Sequence, residues 1–192
     1  VMRTVEELEG AGVAALTIED TDLPLKFRRK DGEELISTDE MVGKLKAAVM
    51  ARQDPSLVII GRTCSLEYES EAASQDRVKA LAGTGVDAIM LIGARNRHQI
   101  ESVYQSITLP LLLGSTGPGL DNEEFLSSNR VRMVLRGHQP FFVAMKTLYE
   151  SMAHLHSGQA PSTLDGRVAS ADLRKALLRD GEYSRWVEQS LC

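Results

Sequence analysis

Polar and charged residues end several apolar runs of this sequence, and their types suit the binding of an anionic, oxygen-rich molecule. Glu19 and Asp20 end the first run, Arg62 stands near the end of the second, and His138 follows the fifth. Carboxylates bind divalent cations, whereas a guanidinium group donates paired hydrogen bonds to a carboxylate. Smaller polar groups and a second arginine stand at the same ends: Thr63, Cys64, Arg95, Ser115 and Thr116.

These residues also have ordinary structural interpretations. Glu19 and Asp20 would solvate a strand end or pair with a lysine, and Arg62 would form a structural ion pair. His138 would cap the helix that Pro140 begins, because proline suits the first turn of a helix. The residue types alone leave both interpretations open.

Five continuous apolar runs alternate with segments of helical periodicity, which predicts an α/β fold with a parallel sheet. The runs are 14–20, 57–63, 87–93, 110–116 and 131–137. Ligand sites in such folds lie at the C-terminal ends of the strands. The candidate residues would therefore meet at one rim of the sheet.

Two architectures accommodate about five β/α units. An open, doubly wound sheet suits a chain of 192 residues. A (β/α)8 barrel normally needs roughly 250 residues, so a barrel would be incomplete here and would lack its first strands. Helical spacing begins at the first residue, with Val1, Val5 and Leu8 on one face, which favours a chain that continues upstream.

The alternation of apolar runs and helical segments ends near Gly158. We therefore expect residues 1–158 to form the α/β domain and residues 159–192 to form a C-terminal helical appendage. Leu173, Leu177 and Trp186 mark two short amphipathic helices in that appendage. Docking on a neighbouring subunit and docking within the same chain are both open.

Composition excludes several functional classes. The chain has 22 Lys and Arg against 27 Asp and Glu, a net charge of −5, which argues against non-specific nucleic-acid binding. No apolar run is long enough for a transmembrane helix, so no membrane contact is expected. The two cysteines form no disulfide framework, and a reducing, cytoplasmic setting is the expectation.

Longer segments resemble one enzyme family. They are RTVEELEGAGVAALTIEDTDLP (3–24), LISTDEMVGKLKAAVMARQDPSLVIIGRT (35–63), RVKALAGTGVDAIMLIG (77–93) and RGHQPFFVAMK (136–146). Together they are similar to the isocitrate lyase/phosphoenolpyruvate mutase superfamily, and within it most like the bacterial oxaloacetate decarboxylases. The resemblance covers roughly residues 1–158, and its I-E-D and R-T matches are specific in combination.

The resemblance implies a (β/α)8 barrel of the TIM type, here incomplete with about five β/α units plus C-terminal helices. It also implies a swapped C-terminal helix and a homo-oligomer built as a dimer of dimers. The implied ligands are a small α-keto acid and Mg²⁺, with Mn²⁺ as the alternative ion. The implied activity is that of a carbon–carbon lyase, which decarboxylates oxaloacetate to pyruvate and CO₂.

Three residues carry the implied site. Glu19 matches a carboxylate that supports the metal through water, and Arg62 matches the arginine that holds the substrate carboxylate. His138 matches a histidine that lines the substrate pocket, so Arg62 and His138 are the expected catalytic and substrate-binding residues. The family's direct aspartate ligands and its substrate-binding serine have no counterpart in this chain.

Two further differences from the family's sequence pattern narrow the range of expected activities. The segment LPLKFRRKDGEE (23–34) lacks the cysteine of the family's KKCGH loop, which argues against isocitrate and 2-methylisocitrate lyases. Residues 61–64 read GRTC where relatives read A-R-T-N, so the amide that relatives carry near the expected substrate contact is missing here. The alternatives are another α-keto-acid enzyme of the superfamily, such as a phosphonopyruvate hydrolase or a lyase, or a non-catalytic truncated protein.

Overall fold

Five parallel strands form one sheet in this computed structural model, which describes residues 1–23, 35–115, 117, 119–135 and 137–191. Residues 24–34 lie outside the described residues, and with them the charged segment KFRRKDGEE (26–34), for which the sequence predicts a solvated loop. The strands, each lying within a predicted apolar run, are β1 (Ala15–Glu19), β2 (Val58–Thr63), β3 (Ala88–Leu91), β4 (Leu111–Leu113) and β5 (Val131–Val134). The predicted α/β fold is thereby confirmed.

Strand order decides between the two predicted architectures. The five strands pair in chain order, β1-β2-β3-β4-β5, and every pairing is parallel. A doubly wound sheet reverses its strand order at a switch point, whereas a barrel adds each strand beside the last. The doubly wound alternative is therefore wrong, and the sheet is a run of consecutive barrel strands.

Helices occupy the connections between the strands and the C-terminal part of the chain. They are α1 (Met2–Gly10), α2 (Thr38–Ala51), α3 (Ser65–Tyr68), α4 (Glu71–Ala82), α5 (Arg97–Ser106), α6 (Glu123–Ser128), α7 (Gln139–His156), a 3₁₀ helix (Pro161–Arg167), α8 (Ala171–Leu178) and α9 (Asp180–Leu191). The sequence did not predict α3 or the 3₁₀ helix, because both are too short to show a helical period.

Side-chain caps determine where several of these helices begin. Ser37 accepts a hydrogen bond from the Glu40 amide at the start of α2, and Ser70 accepts one from the Ala73 amide at the start of α4. Asn96 and Asn122 cap α5 and α6 in the same way. Such caps satisfy amides that have no partner inside the helix.

The sheet has two apolar faces with different neighbours. On one face, strand residues such as Ile59, Ile89 and Leu113 pack with Leu45 of α2 and Leu81 of α4 in the main core. A separate cluster of Ile60, Ala88, Met90 and Leu112 covers the other face. We call this second face the concave face, because it would line the interior of a closed barrel.

The chain divides into two compact units, Val1–Gly137 and His138–Cys192. The first contains the sheet with α1 to α6, and the second contains α7, the 3₁₀ helix, α8 and α9. Neither α7 nor α8 has a buried residue. No helix in the described ranges has both the length and the apolar character needed to cross a membrane.

Candidate active site

Glu19 and Arg62 meet at the C-terminal ends of β1 and β2. The two residues are register partners in the parallel ladder, and Arg62 Nη2 lies 3.1 Å from Glu19 Oε2. Both side chains are only partly exposed, 36% for Arg62 and 29% for Glu19. The structure therefore brings these two predicted site residues into one ion pair, which also matches the structural interpretation of Arg62.

Arg62 faces a cavity on the concave face. This cavity has a volume of about 330 Å³, and Arg62 is the charged residue of its lining, which is otherwise Ala15, Leu16, Thr17, Ile60, Met90, Leu112, Met133 and Leu135. Arg62 Nε is buried and has no hydrogen-bond partner among the described residues. A buried N–H without an acceptor costs free energy, so Arg62 combines an unsatisfied donor with a side chain that lines the cavity.

Asp20 does not share the environment of Glu19, although the sequence suggested a carboxylate pair at one rim. Consecutive strand residues point to opposite faces of a sheet, and Asp20 is fully buried on the helix-covered side. Thr63 Oγ1 donates to Asp20 Oδ2 at 2.6 Å, and the Cys64 amide donates to Oδ1 at 3.2 Å. The expectation of a joint Glu19–Asp20 pair is therefore wrong.

Burial raises the pKa of Asp20 above its ordinary value, while the Thr63 and Cys64 hydrogen bonds and the Arg77 charge oppose that rise. Burial likewise raises the pKa of the Cys64 thiol, and the neighbouring Asp20 charge adds to the effect. A thiol with a raised pKa is a poor nucleophile at neutral pH because little thiolate is present. Cys64, at 3% exposure, is a packed residue.

His138 precedes α7 and belongs to the second unit. Its side chain makes no capping hydrogen bond to that helix, and its ring lies edge-on to Phe142 with the centroids 6.4 Å apart. His138 therefore does not cap α7 through a side-chain hydrogen bond, contrary to its structural interpretation. Its role in the pocket stays a prediction from the family resemblance.

Sequence reasoning missed Arg77, the residue that holds Asp20 from the helix side. Arg77 is 6% exposed and its Nη1 lies 3.5 Å from Asp20 Oδ2. A signal was available, because Arg77 occupies the buried stripe of α4 together with Ser74, Val78 and Leu81. A charged residue on the buried stripe of a helix needs a buried partner.

The same residues offer few ligands for a divalent metal ion. No group of three or more His, Cys, Asp or Glu side chains able to hold a metal ion occurs in the part of the chain that the structure describes. Of the two carboxylates that end β1, Asp20 is already surrounded by donors, whereas Glu19 is partly exposed and pairs with Arg62. These residues therefore do not form a complete ligand set by themselves.

A parallel sheet wound in chain order, with a polar pair at its C-terminal rim, defines an α/β protein of the TIM-barrel type. The family model described as phosphoenolpyruvate phosphomutase matches residues 1–156. The chain therefore belongs to the phosphoenolpyruvate phosphomutase family, within the superfamily that its sequence segments suggested.

One curated relative is the oxaloacetate decarboxylase of Bradyrhizobium diazoefficiens, 41% identical over 182 residues, which are 95% of this chain and 62% of that protein. The chain thus spans about three-fifths of the length of the curated relatives it matches.

Solved structures of similar fold include the phosphoenolpyruvate phosphomutase of Streptomyces platensis subsp. rosaceus. It has a TM-score of 0.85 at 21% identity, and the match covers all of this chain and 69% of that one. A phosphonopyruvate hydrolase solved with oxalate and Mg²⁺ has a TM-score of 0.82 at 23% identity, covering all of this chain and 68% of that one. At these identities the two structures support the fold.

Proposed function

We propose that this chain forms part of a carbon–carbon lyase that decarboxylates oxaloacetate to pyruvate and CO₂. The observation that carries the proposal is Arg62, which lines the cavity on the concave face and whose buried Nε has no hydrogen-bond partner among the described residues. The same chain is 41% identical to a protein named oxaloacetate decarboxylase over 95% of its length. A guanidinium at that rim suits a small dicarboxylate substrate.

Arg62 would bind one carboxylate of the α-keto acid, and its pairing with Glu19 would hold the guanidinium plane toward the cavity. The bond between C3 and the departing carboxylate then breaks, CO₂ leaves, and the electron pair passes into a pyruvate enolate. A proton delivered to C3 completes pyruvate. His138 is the proposed hydrogen-bond donor or proton source for that last step.

Mg²⁺, with Mn²⁺ as the alternative, is the proposed cofactor of the whole enzyme. Of the described residues, Glu19 would support such an ion through a bound water, as the family resemblance implies. Direct ligands would have to come from outside these residues, because they contain no suitable cluster. A bound divalent cation would stabilise negative charge that develops on substrate oxygens.

The domain organisation and assembly are also proposals. We propose a partial barrel at 1–158, an appendage at 159–192 that docks on a second subunit, and a cytoplasmic homo-oligomer. The exposed apolar residues of α7 and α8 support an association, because large apolar side chains in clusters mark interaction surfaces. These residues include Phe141, Phe142, Leu148, Tyr149, Leu173 and Leu177.

Pyruvate release from oxaloacetate tests the proposed activity. The assay compares this chain with a version extended upstream in its gene, each with and without Mg²⁺. A protein-free Mg²⁺ control is essential, because the metal alone decarboxylates oxaloacetate slowly. We expect metal-dependent release above that control in the extended version.

Two results would contradict this proposal. Release of pyruvate from phosphonopyruvate but not from oxaloacetate would assign the alternative keto-acid chemistry. Absence of turnover with either substrate in both proteins would favour the non-catalytic alternative.

A further inference from the structure

Asp20 sits at the centre of a buried polar network directly beneath the Glu19–Arg62 pair. Its side chain has no exposed surface. It receives hydrogen bonds from the Thr63 hydroxyl and the Cys64 amide, and Arg77 Nη1 lies within 3.5 Å. The Ser65 amide donates to Thr63 Oγ1 at 3.1 Å, so the Thr63 hydrogen is directed at Asp20. Thr63, Cys64 and Arg77 therefore each direct a donor at this carboxylate.

Arg77 links Asp20 to the surrounding elements. Its Nε donates to both carboxylate oxygens of Glu69 at 3.0 Å, and its Nη2 lies 2.6 Å from Glu69 Oε1. Its Nη1 also donates to the Ile36 carbonyl at 3.1 Å. A guanidinium held at this many points has one allowed orientation, so it gives Asp20 a rigid support.

The network touches the immediate chain neighbours of both rim residues. Asp20 follows Glu19, and its two hydrogen-bond donors, Thr63 and Cys64, follow Arg62. The ladder between β1 and β2 ends at the Glu19–Arg62 register pair. The Asp20 carboxylate therefore joins the two strands just beyond their last paired residues, where the backbone direction sets the aim of both rim side chains.

We propose that Asp20 is a positioning residue that holds Arg62 and Glu19 in the geometry needed to bind a small dicarboxylate, acting through Thr63 and the Cys64 peptide. This inference rests on the proposed function, because the expected ligand is the substrate class named there. Asp20 lies on the opposite face of the sheet from the cavity and does not touch the ligand.

Asp87 provides a matched comparison within the same sheet. It accepts a hydrogen bond from the Ile59 amide at 2.8 Å and pairs with Arg52 at 2.7 Å. Asp87 thus also joins a strand amide to an arginine, but it precedes β3, at the N-terminal end of the sheet. Asp87→Asn removes a similar charge without any connection to the rim.

The test measures oxalate binding by calorimetry and the KM for oxaloacetate, both in the extended protein. Asp20→Asn should weaken oxalate binding and raise KM about tenfold or more, the usual effect of removing a partner that orients a binding residue. Asp87→Asn should leave both quantities unchanged. In an Arg62→Lys background, Asp20→Asn should have little further effect, because both changes act on the same contact.

Several results would overturn the inference. One is an equal weakening of oxalate binding by Asp20→Asn and Asp87→Asn. Another is that Asp20→Asn weakens oxalate binding as much in the Arg62→Lys background as in the wild-type protein. Failure of the wild-type protein to bind oxalate would also overturn it. If oxalate binding follows the expected pattern but oxaloacetate is not turned over, the proposed reaction fails and the positioning role stands.

Thr63→Val is a second, milder variant that tests the same network if Asp20→Asn does not fold. It removes the hydroxyl that donates to Asp20 at 2.6 Å but keeps the volume and the charge of the network. We expect a smaller weakening of oxalate binding in the same direction, with circular dichroism unchanged. Loss of the fold in both Asp20→Asn and Thr63→Val would make the network purely structural and overturn the inference.

Discussion

Two adjacent carboxylates, Glu19 and Asp20, have different tasks because a strand places consecutive side chains on opposite faces. Glu19 pairs with Arg62 on the concave face, while Asp20 is enclosed between the sheet and α4 with Arg77. Arg62 lines the cavity and its Nε has no partner among the described residues, and this combination is the feature that most directly suggests a ligand. Substitutions at single positions therefore give the sharpest tests of the site.

Arg62→Lys should raise the KM for oxaloacetate by about tenfold or more, since lysine keeps the charge but loses the paired donors that match a carboxylate. The kcat should change less, because this contact exists in both the bound substrate and the transition state. Steady-state kinetics of the extended protein measures both. Arg52→Lys, at the opposite end of the sheet, is the matched control, and an equal effect there would contradict the assignment.

His138→Ala should lower kcat about 100-fold if His138 delivers or positions a proton, the usual scale of such catalysis. The control is His98→Ala, since His98 is an exposed residue that pairs with Glu71 on the surface. Pyruvate release by the extended protein is the measurement. An unchanged rate in His138→Ala would remove this residue from the site.

At the scale of elements, close packing between α2 and the sheet positions the rim. Gly61 of β2 immediately precedes Arg62, and a Cβ there would lie 3.1 Å from Leu45 Cδ1 and 3.3 Å from Ile89 Cδ1. Both neighbours are fully buried. The absence of a side chain at position 61 therefore allows α2 to approach the strand that carries Arg62.

Gly61→Val should lower the free energy of unfolding by about 1–3 kcal/mol, because extra methyl groups overpack a filled core. Gly43→Ala is the matched control on α2, where a Cβ would meet nothing within 4 Å. That control should raise the free energy of unfolding by about 0.5–1 kcal/mol, since glycine is costly inside a helix. Urea unfolding followed by circular dichroism checks both. Equal stability of Gly61→Val and wild type would refute the packing argument.

At the scale of the whole molecule, the sheet has two outer strands, and each is paired on one side among the described residues. β1 pairs with β2 and β5 pairs with β4. Unpaired strand edges and exposed apolar clusters both favour association with other chains. The helix α7 adds such a cluster, with Phe141 at 63% and Leu148 at 65% exposure.

We therefore expect this 192-residue chain to self-associate. Size-exclusion chromatography with light scattering should show oligomers or aggregates at micromolar concentration. Leu148→Glu should reduce the association, while Met50→Glu, which changes an isolated exposed methionine of α2, should not. A monodisperse monomer that unfolds cooperatively would contradict this expectation.

The sequence alone was sufficient for the five strands and for placing Glu19 and Arg62 at the same end of the sheet. Continuous apolar runs predicted all five strands, and Pro140 marked the start of α7, because these signals depend on neighbours close in the chain. Placing Glu19 and Arg62 at one rim followed from the common direction of parallel strands.

Tertiary structure decided the rest. Strand order excluded the doubly wound sheet, and strand alternation separated Asp20 from Glu19. The contact between Asp20 and Arg77 joins residues 57 positions apart, so no local pattern specifies it. A residue's partner across the core depends on how helices pack on the sheet, and that packing is a property of the folded chain as a whole.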